Sequence, residues 1–73
     1  MLALTPMAAT VGKAIRERRQ ELGLSQAAVA AAARVERAHL TRIEGGRWVP
    51  RLDTLARIAA ALRVPLATLV RAK

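Results

Sequence analysis

Cysteine, tyrosine, phenylalanine and asparagine are absent from this 73-residue chain, which holds one histidine (His39), one serine (Ser25) and one aspartate (Asp53). Each shortage excludes a class of function. Without cysteine, and with a lone histidine, the chain has neither a disulfide framework nor a zinc site. Ser25, His39 and Asp53 fall on different predicted elements and each has a structural explanation, so no catalytic residues and no enzyme activity are expected. Gly45 and Gly46 follow no strand and precede no Lys-Ser or Lys-Thr pair, which leaves a nucleotide-binding loop unsupported; no cofactor is expected. No run approaches about 18 apolar residues, and the opening MLALTPMAA has no positive n-region or long apolar stretch. Secretion and membrane spanning are therefore not expected, and the cytoplasm is the expected location.

What the chain does hold is positive charge: 13 Lys and Arg against 5 Asp and Glu, a formal net charge of +8. Such a surface suits a polyanion, because neutralising phosphates releases their counterions. The same arginine and alanine content also arises from GC-rich coding, so charge alone does not choose a partner. A domain of this size has a small core, and a second copy of the chain is a natural way to bury more apolar surface.

The apolar pattern is helical throughout, with no strand alternation and no internal repeat. Residues 1–4 read as a tail and 5–73 as one domain. Thr5 before Pro6, or Thr10 later, offers a start for a first helix whose apolar face is Val11, Ala14, Ile15 and Leu22; Gly23 ends it. Ser25 can cap a second helix over about 26–33, while Leu24 and Val29 have the spacing of a hydrophobic staple. Val35 and Leu40 repeat that spacing, so a third helix is expected over about 36–44, with Gly45 and Gly46 supplying a left-handed end. After the GRWVPR loop, Leu52, Leu55, Ile58, Ala59 and Leu62 form the stripe of a fourth helix. Pro65 starts a fifth, whose Leu66, Leu69 and Val70 make an apolar patch expected at a dimer interface, the alternative being that the helix packs wholly inside the single chain.

If the third helix is a reading helix, Leu40 and Ile43 face the core and Arg37, Ala38, Thr41 and Arg42 face outward. Arginine can bond guanine bidentately, alanine can meet only a thymine methyl, and threonine discriminates poorly. Bidentate adenine reading is unavailable, since Gln20 and Gln26 both lie outside this helix. Arg47 and Arg51 flank the loop where basic side chains can clamp a strand, and Trp48 between them either stacks on sugar or covers the loop.

In LGLSQ at 22–26, RIEGG at 42–46, the proline after it, and LDTLARIAAALRVPLATLV at 52–70, the chain resembles the lambda-repressor-like, Cro-like (XRE-type) helix-turn-helix regulators. The likeness covers roughly residues 11–70. It implies a compact all-α, five-helix DNA-binding domain with its helix-turn-helix at about 25–44 and its third helix in the major groove. It further implies a sequence-specific double-stranded DNA-binding transcriptional regulator, expected to be a homodimeric repressor or autoregulator on a two-fold operator and hence nucleoid-associated. By the same resemblance, Arg37, Ala38 and Arg42 occupy base-contacting positions, and Gln26 lies against the DNA backbone. Ser25, as a helix cap near a phosphate, and His39, Arg47, Trp48 and Arg51 complete the expected backbone contacts. Arg19 and Glu44 match a structural salt bridge joining the first helix to the end of the third; the residues alone leave Arg16, Arg57 or solvent as other partners for Glu44.

Two departures carry consequences. Arg34 stands at the turn glycine, which costs about 1 kcal/mol if that residue is left-handed. Glu36 replaces the usual Ser or Thr cap. A rival reading is an antitoxin or accessory protein that mainly binds an unknown protein partner, with DNA binding secondary. A cationic membrane-surface peptide is more distant.

Overall fold

A computed structural model describes residues 4–71, and every regular element in them is helical: α1 (Leu4–Glu21), α2 (Gln26–Ala33), α3 (Arg37–Glu44), α4 (Leu52–Ala61) and α5 (Leu66–Val70). Residues 1–3 of the expected tail lie outside the described residues, and Leu4, its last member, is already helical. The expected start at Thr5 or Thr10 is thereby corrected. Pro6 fits inside the first turn because the leading N–H groups of a helix have no intrahelical partner.

Local chemistry explains why α2 and α3 start where they do. Ser25 Oγ accepts a hydrogen bond from the Ala28 amide at 3.0 Å, and the alanine-rich run behind it has high helix propensity. Glu36 sits outside α3 as its N-cap with extended backbone and makes no side-chain capping bond. The staple residues Val29 and Leu40 are buried, and Leu24 and Val35 pack against the same core.

All four connections between helices begin with one hydrogen-bond pattern. The amides of Gly23, Arg34, Gly46 and Arg63 donate to the carbonyls of Gln20, Ala31, Ile43 and Ala60. The next amide in each case donates one residue further back, to Arg19, Ala30, Arg42 and Ala59. These paired bonds satisfy carbonyls that a helix end leaves open, and they require a left-handed central residue. The observed φ values are 68, 60, 76 and 60°. Of the two glycines expected to end α3 in that conformation, only Gly46 does so; Gly45 has φ −77°.

The core is built from Val11, Ile15, Val29, Ala33, Leu40, Ile43, Ile58, Leu62 and Leu69, all essentially without exposed surface. Each large aliphatic side chain buried this way stabilises the fold by about 1.5–3 kcal/mol. Alanines at 30, 33 and 59 belong to the core where α2 lies on α4, and α1 packs against both α3 and α5. Leu69 corrects the expectation of an interface residue, because it has 0% exposure within a single chain. Val64 before the N-cap Pro65, and Leu69 five positions on, repeat the staple spacing seen at Leu24 and Val29. Leu66 and Val70 are only partly buried against the same core.

Candidate nucleic-acid interface

Helix α3, RAHLTRIE, divides sharply between its two sides. Leu40, Ile43 and Glu44 are buried, His39 is half-buried, and Arg37, Ala38, Thr41 and Arg42 are exposed. The exposed four recur at the spacing that puts residues on one side of a helix. Their side chains offer two guanidinium forks, a methyl and a hydroxyl along a rod about 12 Å long.

Three features hold this rod against the rest of the molecule. Gly12, on α1, faces the backbone carbonyls of Ile43 and Glu44 so closely that any Cβ would collide with them. The sequence pattern alone did not single it out, although a glycine inside a helix costs about 1 kcal/mol against alanine and so hints at a close approach. The second feature is a bidentate ion pair: Arg19 Nε donates to Glu44 Oε2 at 2.7 Å and an Arg19 terminal nitrogen to Glu44 Oε1 at 2.9 Å. Both side chains are largely enclosed, with relative exposures of 13% and 4%. Hydrogen bonding to Glu44 raises the Arg19 pKa above its ordinary value, against the opposing effect of burial and with the help of charge attraction. Arg19 also donates to the Leu24 carbonyl at 3.0 Å, tying the pair to the entry of α2. Arg57, one of the other partners considered for Glu44, lies beside Asp53 instead, while Arg16 is exposed.

The third feature is Gln26, which bridges helices. Its Nε2 donates to Glu44 Oε1 at 3.0 Å, and its Oε1 accepts from the Thr41 hydroxyl at 3.1 Å. One amide hydrogen of Gln26 is left over. Around the rod, Ser25 is committed to its capping bond, and Arg47 and Arg51 are exposed. Trp48 meets His39 edge-on, with ring centroids 5.3 Å apart, and still leaves 46% of its surface open.

Two further arginines also turn inward: Arg57, considered above only as a partner for Glu44, and Arg18, to which the sequence pattern assigned no structural role. Arg57 Nε donates to the Ala33 carbonyl at 2.9 Å and Arg18 Nε to the Leu62 carbonyl at 3.0 Å. Part of the net positive charge therefore holds helix ends instead of facing a partner. No group of three or more His, Cys, Asp or Glu among the described residues is placed to hold a metal ion, and no helix there is long and apolar enough to cross a membrane.

Two short helices joined by a tight turn, the second with a cationic outer side and a buried inner one, define the class of helix-turn-helix DNA-binding domains. The sequence matches the family model described as a helix-turn-helix domain over residues 10–72, and the chain belongs to that family. Its five-helix arrangement is that of the Cro-like helix-turn-helix domains.

Among solved structures, it is similar to the restriction-modification controller protein C.AhdI from Aeromonas hydrophila, at 27% identity and TM-score 0.82 over 85% of this chain and 94% of that one. It is also similar to the clp gene regulator ClgR from C. glutamicum, at 28% identity and TM-score 0.81 over 86% and 82% of the two chains. A curated relative, the ImmF control region 10 kDa protein of Bacillus phage phi105, is 38% identical over 56 residues, which is 77% of this chain. The chain spans 62% of the length of that relative.

Proposed function

We propose that the protein is a homodimeric repressor or autoregulator that inserts α3 into the major groove of a two-fold operator. The observation that carries this reading is the division of α3: every residue available outward is a group that can meet DNA, and every inward residue is used in holding the helix. The major groove is about 12 Å wide and admits a helix of this kind. Arg37 and Arg42 are the guanine readers, Ala38 meets a thymine methyl, and Thr41 contacts a base edge. Ser25, Gln26, His39, Arg47, Trp48 and Arg51 face the sugar-phosphate backbone, with the spare amide hydrogen of Gln26 free for a phosphate oxygen. The protein's likeness to a restriction-modification controller protein and to a clp gene regulator supports a regulatory role.

A second copy docks through α5, where Leu66 and Val70 keep part of their apolar surface open while Leu69 supports them from within. Two reading helices then enter successive major grooves about 10 base pairs apart. Sequences selected from a random duplex pool should contain paired half-sites at that spacing, each with at least one fixed guanine. With roughly six to ten phosphates contacted, log affinity should fall against log salt with a slope of about −5 to −9. An unenriched pool would end the reading, and a chain that sediments as a monomer both free and on a half-site would end its dimeric part.

A further inference from the structure

Thr41 is exposed on the outer side of α3, yet its single hydroxyl hydrogen is claimed from within the protein. Its oxygen lies 3.1 Å from Gln26 Oε1 and 3.0 Å from the Arg37 carbonyl oxygen, and both of these groups only accept. The direction of the Gln26 amide is dictated in turn. Glu44 Oε1 already accepts from Arg19 and has no hydrogen to give, so the amide must present its NH2 there, leaving its oxygen for Thr41. A flipped amide would set two acceptors 3.0 Å apart. Donation therefore runs one way, from Thr41 to Gln26 to Glu44, with Arg19 closing the far end.

We propose that this relay makes Thr41 an acceptor-only base reader: with its hydrogen directed inward, only the lone pairs of its oxygen face the groove, and Gln26 acts as the positioning residue. In the major groove the donors are the adenine N6 and cytosine N4 amino groups, whereas guanine and thymine present only acceptors. Thr41 then selects an amino-bearing base on the strand it faces. A threonine free to rotate would accept either class. The inference rests on α3 lying in the groove, and it sharpens that reading at one base position.

The test is selection from a random duplex pool with the wild type and with Thr41→Ser, Thr41→Val and Gln26→Leu, each first checked for a cooperative unfolding transition. The wild-type motif should hold one position per half-site where adenine and cytosine together exceed guanine and thymine by roughly five- to tenfold, the discrimination of about one hydrogen bond. Thr41→Ser should keep that preference, since the hydroxyl and its inward acceptors remain. Thr41→Val should flatten that position and no other. Gln26→Leu should blur it, because one inward acceptor is gone and the hydroxyl regains freedom. A guanine or thymine preference at the position that Thr41→Val flattens would overturn the proposal, as would a wild-type motif that Thr41→Val leaves unchanged. If the wild type selects no motif, groove reading by α3 falls first and takes this inference with it.

Discussion

Between α2 and α3 the chain reads Arg34-Val35-Glu36, and between α4 and α5 it reads Arg63-Val64-Pro65, each leading five residues past the valine to a leucine with no exposed surface. In both turns the arginine adopts φ 60° and the carbonyl before it is gripped by an arginine from another helix, Arg57 on Ala33 and Arg18 on Leu62. The shared pattern Arg-Val-x-x-Ala-x-Leu is too brief to register as an internal repeat, but it folds into the same device twice. The two helices launched by these turns differ. Helix α3 turns Arg37, Ala38, Thr41 and Arg42 outward and has a buried ion pair at its far end. Helix α5 has Leu66 and Val70 half covered, and among the described residues no side-chain ion pair or hydrogen bond ties it down. The turn and its buried leucine aim a helix; the residues on the opposite side decide what the helix is for.

The ionic tie is where the two regions differ most, and removing it should have the largest effect. Glu44→Ala leaves the enclosed Arg19 charge unpaired, at a cost of about 3–5 kcal/mol. That approaches the whole stability expected of a domain this small. Circular dichroism should show a chain largely unfolded at 37 °C; a wild-type denaturation midpoint would mean that α3, like α5, is held by apolar contacts alone.

Leu40→Ala and Leu69→Ala test whether the two devices carry equal weight. Each should cost about 2–5 kcal/mol in chemical denaturation, as expected for a cavity in a closed core. By the same reasoning Leu69→Asp should unfold the domain, whereas a folded monomer would show that α5 undocks without harm. On the outer side of α3 the effect should move from stability to recognition. Arg37→Ala or Arg42→Ala should weaken specific DNA binding by about 1–3 kcal/mol and relax one base position per half-site. Their unfolding midpoints should not change. Equal loss on specific and random duplexes would reassign either arginine to phosphate contact.

The smallest expected effect is a gain. Arg34 and Arg63 are both exposed in a left-handed conformation, so replacing either with glycine removes that backbone cost and should stabilise the fold by up to about 1 kcal/mol. Thermal unfolding of the two variants should shift upward by similar amounts. A shift in only one would show that the two turns are strained differently.

Much of this architecture was legible in the order of residues. The Ser25 cap, the staple spacings at 24/29 and 35/40, and the separation of Leu40 and Ile43 from Arg37, Ala38, Thr41 and Arg42 all arise from interactions or periodicities spanning a few residues. Such signals survive in a linear reading because the groups that satisfy one another are neighbours in the chain. Helix α5 was harder, since five residues are too few to display a period, and its apolar side looked open when Leu69 was in fact closed into the core.

Tertiary structure alone decided which arginines serve the fold and which remain outside. Nothing local distinguishes Arg18, whose acceptor lies 44 residues away, or Arg57, whose acceptor is 24 residues away, from Arg37 or Arg42. Gly12 likewise takes its meaning from a carbonyl pair on α3. An arginine turns inward when packing sets an unsatisfied carbonyl or carboxylate within its reach and water is excluded. That condition exists only once the helices have come together, so a linear reading can count positive charges but cannot allocate them.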